Sequence, residues 1–252
     1  MRNLLKLEFR KLQRQKSFYI CTGIMVALVI LGAVISNALL KIAPEDLTNQ
    51  FQLSGIQALL SASADSSFNL IICIFISLFV CDDYSQQTIK TIYGRGYART
   101  TVYFSKLISV LTAATVMYAV VLLVNFLFGT AFFGIGEPGN FKFIALIAVQ
   151  YVILMACTCL YFVIASLLRN KGAAISVCIV GPIVLNILLA LWDAAITTES
   201  FSSVDYWVEN LLTDMSSLTV SQGRILACLA IAAIYIVVSL TLGMLHTQRK
   251  DP

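Results

Sequence analysis

The sequence predicts an all-α polytopic membrane protein with six transmembrane helices, and three observations carry that expectation. Charged residues make up 12% of the chain, about half of what soluble domains carry. Mean hydropathy is +0.88, with the apolar residues gathered into uncharged runs of about 20, enough to cross a bilayer. Those runs are continuous, whereas barrel strands need alternating segments of about 10 residues. No charged, mixed segment is long enough for a soluble domain, so residues 1–252 read as one membrane domain. Its spans fall near 18–40, 62–81, 107–134, 143–168, 172–192 and 225–245.

The first span rests on the uncharged run Phe18–Leu40. At 1.5 Å per residue it measures about 34 Å, longer than the core of a cleaved signal peptide and long enough to stay as an anchor. Ahead of it, Arg2, Lys6, Arg10, Lys11, Arg14 and Lys16 are set against a single acid, Glu8. Met1, Leu5 and Leu12 share one helical face with Leu4 at its edge, the pattern of an N-terminal interfacial helix. The alternative is a basic flank that only orients the first span. After a polar connection with Pro44, Glu45 and Asp46, the weakly apolar stretch 51–64 begins the second helix, whose uncharged run is Ser66–Cys81. Counted back from Cys81, Asp65 lies about 24 Å up the axis. It is either a carboxylate on a substrate path or a solvated helix end.

Span 3, Leu107–Gly136, is long enough to require tilt or an extension outside the bilayer. Glu137, Pro138 and Gly139 turn the chain into span 4, Phe143–Leu168, and Arg169-Asn170-Lys171-Gly172 is a tight basic turn into span 5. Pro182 is expected to kink span 5. Span 6, Ile225–Leu245, ends at His246, Arg249 and Lys250. Lysine and arginine fix the orientation: 14 of the 17 fall at the N-terminus, in 90–106, in 169–171 and at the C-terminus, leaving Lys41, Lys142 and Arg224 on the other side. That bias puts both termini in the cytoplasm. Nine of the 13 acids fall outside, an acidic mouth that attracts cations.

Between spans 2 and 3 lies a polar, basic island, Asp83–Lys106. Inside it Ile89, Ile92 and Tyr93 fall at i, i+3 and i+4, so one helical turn gathers them on a face, and Gly94 and Gly96 stop the helix. The island resembles the segment after the second span of ABC-2 type permeases. That pattern is an acidic residue, Gly-Thr-(Leu/Ile)-Lys, a Pro, an Arg, and a Lys opening the third helix. Asp83, Thr88, Ile89, Lys90, Arg99 and Lys106 match it in register, while Gln87 replaces the Gly and Gly96 the Pro. The resemblance implies a short cytoplasmic coupling helix that docks on a separate ATPase, with Asp83, Thr88, Ile89, Lys90, Ile92, Tyr93 and Arg99 as its residues.

The segment Asp193–Gly223 is long, external and patterned. Val204, Trp207, Val208, Leu211, Met215 and Leu218 recur at helical spacing with Asp205, Glu209 and Asp214 between them. This predicts an extracellular amphipathic helix between spans 5 and 6. By the same resemblance it is a lid over the exit, re-entering the bundle; otherwise it is an anchor in the outer interface. At membrane depth the polar residues are neutral: Asn69, Asn125, Gln150 and Asn186. Bonding between helices is one role for them, and with Asp65 the three asparagines are the candidates for a path.

There is no G-x-x-x-x-G-K-[ST], G-x-S-x-G or H-E-x-x-H, and one histidine. Catalytic, cofactor and metal residues are therefore not expected. The seven cysteines sit in or at the ends of apolar runs, and Cys157 and Cys159 differ by about 200° around a helix, so neither disulfides nor a metal site is expected of them. The chain is accordingly expected to be the permease of an ATP-driven exporter in the cytoplasmic membrane, resembling the small permeases of bacitracin and lantibiotic immunity systems. Its implied partners are two ABC ATPase subunits carrying ATP and Mg, a second permease, identical or paralogous, and lipid, with no nucleic acid. The substrates that suit it are amphipathic or antimicrobial peptides or lipophilic drugs. The alternative is a non-transporting membrane sensor or assembly partner, which would lack a neighbouring Walker-A ATPase.

Overall fold

A computed structural model describes residues 2–42, 59–61, 64–86, 88–94, 96–134, 142–196, 203–216 and 220–249. Helix α1 (Arg2–Arg14) meets α2 (Lys16–Ile42) across the single residue Gln15. Then come α3 (Ser66–Ser85), the short α4 (Thr88–Gly94), α5 (Arg99–Phe133), α6 (Lys142–Leu168) and α7 (Lys171–Ile196). A 3-10 turn (Val204–Tyr206) precedes α8 (Val208–Asp214), and α9 (Gln222–Arg249) closes the chain. No strand occurs among the described residues. Six of the helices, α2, α3, α5, α6, α7 and α9, are long and apolar enough to cross a membrane.

Local chemistry explains where these helices begin and end. The Asp65 carboxylate accepts from the Ser67 backbone N–H at 2.9 Å and caps α3, satisfying one of the donors every helix start leaves orphaned. Gly96 takes φ +83°, open to glycine without strain, and turns the chain from α4 into α5. α5 starts eight residues before the apolar run that predicted span 3. Val102, Tyr103 and Lys106 are all buried there, so tertiary contacts carry the helix through a polar stretch. α7 runs unbroken through Pro182. Most of 51–64, expected to open the second helix, lies outside the described residues.

α6 is the hub, packing on α3, α5, α7, α8 and α9, while α3 packs on α2, α6 and α7. α6 has apolar residues on all sides, the signature of a buried helix, and Ile153, Ala156, Cys157, Tyr161, Phe162 and Ala165 are all within 2% of complete burial. α2, α7 and α9 stand at the edge and turn rows of large apolar side chains outward, among them Ile24, Leu31, Leu188 and Val237. Such surface is the natural complement of lipid tails. All seven cysteines are buried free thiols.

The two ends of the bundle differ. One carries α1, α4, the start of α5, the 169–171 turn and the end of α9, and is rich in Lys and Arg; the other carries Asp65, Asp193, α8 and the start of α9. At the basic end, α9 approaches α5 closely at Gly243, where a Cβ would stand 2.0 Å from Tyr103 Oη and 2.7 Å from Tyr103 Cζ. Gly243→Ala must therefore displace a buried ring, and overpacking of this kind costs about 1–3 kcal/mol. The purified variant is expected to melt several degrees below wild type in lipid nanodiscs, and adding Tyr103→Leu should restore most of the loss. An unchanged melting temperature in the single variant would show that α9 does not pack as described.

Candidate functional site

Three consecutive residues at the end of α3 take hold of four other elements. Asp83 is 3% exposed; Lys11 Nζ of α1 donates to its Oδ1 and Lys106 Nζ of α5 to its Oδ2. Asp82 pairs with Lys171 at the start of α7, and the Tyr84 ring lies 5.3 Å beneath the Arg169 guanidinium at the end of α6. The pairs are not of equal weight. Asp82 and Lys171 are partly solvated, where an ion pair contributes about 0–1 kcal/mol. Lys106 is 4% exposed, so breaking its pair would strand a charge out of water, at about 3–5 kcal/mol.

α1 meets this site through a face the sequence placed differently. Met1, Leu5 and Leu12 were expected to share the apolar side; instead Leu4, Glu8 and Leu12 are buried, Leu5 is half-buried and Met1 lies outside the described residues. The reason is electrostatic: the helix is rotated so that Lys11 reaches Asp83. Glu8, the one acid in a basic helix, is 1% exposed, near Lys106, Asp83 and Lys11. Burial pushes its carboxyl above the ordinary 4.5, with Lys106 opposing that shift.

α4 sits beside this node. Ile92 is 7% exposed and packs with Leu4 of α1 and Val102 of α5, with Tyr93 and Tyr97 alongside. This corrects the expectation that Ile92 stands free on a docking face: its side chain is spent inside the subunit. Thr88, Tyr93 and Arg99 are half-buried, and the side chains of Ile89 and Lys90 lie outside what the structure describes.

At the acidic end the predicted helix from Val204 is broken in two. Trp207 is extended (φ −70°, ψ 132°) between the 3-10 turn and α8. Trp207, Val208, Leu211 and Met215 are buried, as is Leu212, while Val204 is half-buried and Leu218 lies outside the described residues. The piece is pinned from several sides. Gln150 Nε2 of α6 donates to Met215 O at 3.0 Å and Leu60 O at 3.2 Å. Arg224 pairs with Asp214 at 2.5 Å, Val204 N donates to Asp193 at 3.1 Å, and the Trp207 ring meets Tyr235 edge-on.

The sequence placed Glu209 among the polar positions between the apolar ones of this helix. The structure turns it inward, where it accepts a hydrogen bond from Tyr161 Oη of α6. Sequence periodicity had no means of revealing this, because the partner lies 48 residues away. Of the path candidates, Asp65 caps α3, Asn125 donates to Val121 O in its own helix, Asn186 accepts from Asn210 Nδ2 at 2.8 Å, and Asn69 is buried. Only Asn186 is thereby brought to α8.

The island closed by Asp83 and Lys106, within a six-helix apolar bundle, matches what comparison of the sequence finds. Residues 4–189 match the family model described as ABC-2 family transporter protein. The chain belongs to the ABC-2 transporter family. No curated protein matches it closely. This ABC-2 protein is therefore a membrane component of an ABC transporter, and membership of the family implies association with an ABC ATPase. The matched region runs from α1 into α7 and contains the Asp83 node and α4.

The node makes two coupled expectations. Asp83→Leu strands the buried Lys106 and should cost about 3–5 kcal/mol, whereas Asp83→Leu with Lys11→Met and Lys106→Met should recover most of it, as read by thermal unfolding in nanodiscs. Glu8 sets a pH dependence. Its raised value means the folded state keeps a proton that the unfolded chain releases above about 4.5, so its contribution is present at low pH and lost as pH rises through the folded value. Glu8→Gln should therefore gain on wild type as pH rises. A triple variant no better than Asp83→Leu alone would show that charge pairing is not what holds these helices.

Proposed function

We propose that the protein is the permease of an ATP-driven exporter in which α4 is the coupling helix. The observation that carries the reading is that α4 is fastened to its own subunit by Ile92, against α1 and α5, beside the closed Asp83–Lys106 pair. A helix meant to pass motion from an ATPase to spans 2 and 3 must be anchored on the membrane side and free on the other. Ile92 supplies the anchor; the docking patch is then assigned to Ile89, Lys90 and Tyr93, with two ATPase subunits below a pair of permeases. The positive-inside bias supports placing the basic end in the cytoplasm, with both termini there. α8 with Trp207 is read as the lid at the opposite, exit end, and peptides or lipophilic drugs are the substrates.

The two isoleucines separate anchoring from docking. Burying an Ile is worth about 1.5–3 kcal/mol. Ile89→Ala should leave thermal stability near wild type while weakening co-purification of the ATPase by roughly tenfold. Ile92→Ala should instead lower stability, since the side chain it removes is packed within the subunit. Lys90→Ala should matter less than Ile89→Ala, because rim charges contribute only about 0–1 kcal/mol. Full ATPase binding and substrate-stimulated hydrolysis in Ile89→Ala would end the coupling assignment.

Orientation is tested separately. In a variant without native cysteines, Thr213→Cys should react with an impermeant maleimide in intact cells, and Thr100→Cys only after permeabilisation. The reverse pattern would invert the topology and with it the direction of transport.

A further inference from the structure

Glu209 is unusual in where it lies. Tyr161, its partner, is seven residues from the basic end of α6, about 10 Å along the axis. Side chains on a helix lean toward its N-terminus, so the Tyr161 hydroxyl reaches back toward the acidic end. The carboxylate that accepts from it thus sits near the middle of a hydrocarbon layer about 30 Å thick. Among the described residues, no cation pairs with Glu209, whereas Asp214 has Arg224 and Asp83 has two lysines. A carboxylate at that depth without a counter-ion is costly, and one hydroxyl does not neutralise it.

The surroundings are those of a receptor for positive charge. The next residue, Asn210, joins α8 to Asn186 of α7 through their amides, so neutral polar groups lie beside the carboxylate. On α3, Asn69 is 2% exposed with neither amide atom hydrogen-bonded within the described residues. It lies on a helix that packs against α8. The Trp207 indole N–H, two residues from Glu209, is likewise buried without an acceptor. Buried amides are normally satisfied, so Asn69 implies a guest that offers hydrogen bonds. Glu209 is only half-buried, which leaves an approach for one.

We propose that Glu209, held by Tyr161 and beside the Asn186–Asn210 pair, binds an organic monocation such as a protonated amine at mid-membrane depth within a single subunit. That this cation is a transported substrate rests on the exporter reading; the binding itself does not. The acidic mouth favours entry of the same charge.

The test uses the full-length protein without an ATPase, in nanodiscs of zwitterionic lipid, so it stands or falls independently of coupling. The probe is radiolabelled phenethylammonium, with unlabelled phenethylammonium, 2-phenylethanol, Na⁺ and K⁺ as competitors. Wild type is expected to bind one probe per chain, displaced by unlabelled phenethylammonium but not by the neutral alcohol or by equal concentrations of Na⁺ or K⁺. Glu209→Gln can still accept from Tyr161 and should keep the fold, yet lose binding by tenfold or more. Tyr161→Phe, which keeps the charge, should lose severalfold and serves as the second variant. Asp205→Asn, an exposed carboxylate on the same segment, should bind as wild type does. Unchanged binding in Glu209→Gln, equal loss in Asp205→Asn, or displacement by Na⁺ or K⁺ as effective as by the amine would each overturn the proposal.

Discussion

The Asp83 carboxylate, shared between Lys11 and Lys106, is the tie on which the basic end of this protein depends. Without it, α1 would have no reason to bury Glu8, α5 would not extend through Thr100–Lys106, and α4 would hang from an open loop. The arrangement follows from desolvation. Asp83, Lys106 and Glu8 are withdrawn from water in one place with Lys11 at their edge, so the buried charges are tolerable only because they are paired. Such a site contributes little net stability compared with an apolar core of the same shape. It does penalise any register in which one member is missing. In a bundle whose helices are otherwise smooth and apolar, that penalty is what selects one rotation of α1 and one starting point for α5.

Neighbouring residues extend the same logic. Asp82, Asp83 and Tyr84 are adjacent in sequence and so point in different directions around α3, each toward a different helix. One turn of helix thereby fixes the mutual positions of α1, α5, α6 and α7. Only the Asp83–Lys106 bond is dry on both sides and so strong; the other three add direction rather than energy.

The six spans were legible because the hydrophobic signal is local: a run of about 20 uncharged residues can be read without knowing its neighbours. The family was legible too, since Asp83, Thr88, Ile89, Lys90, Arg99 and Lys106 hold a register that can be read without a structure. Partners were not legible. Periodicity placed Ile92 on an apolar face and said nothing of whether that face meets another protein or Leu4 and Val102. It placed Glu209 on a polar face, where solvent is the default, but α8 enters the bundle and its polar side meets Tyr161. In α1 the apolar residues suggested one face, and the ion pair chose another. Each difference arises where an interaction across 48 or more residues outweighs a local pattern.

The two ends of the bundle are held by bonds of different kinds, joined by one strut. α6 reaches from Arg169, over Tyr84 at the basic end, to Gln150, which binds the end of α8. Its backbone bonds are all internal, as the bilayer requires, so it moves as a unit rather than bending piecemeal. Attachments at the basic end are ionic and partly buried, and separating them exposes charge to a dry interior. At the acidic end Gln150, Asn186 and Asn210 bond through neutral amides, and the ion pair there, Asp214 with Arg224, is half-exposed. Interhelical bonds of the neutral kind are worth only about 0.6–2 kcal/mol each within a membrane, and the exposed pair about 0–1.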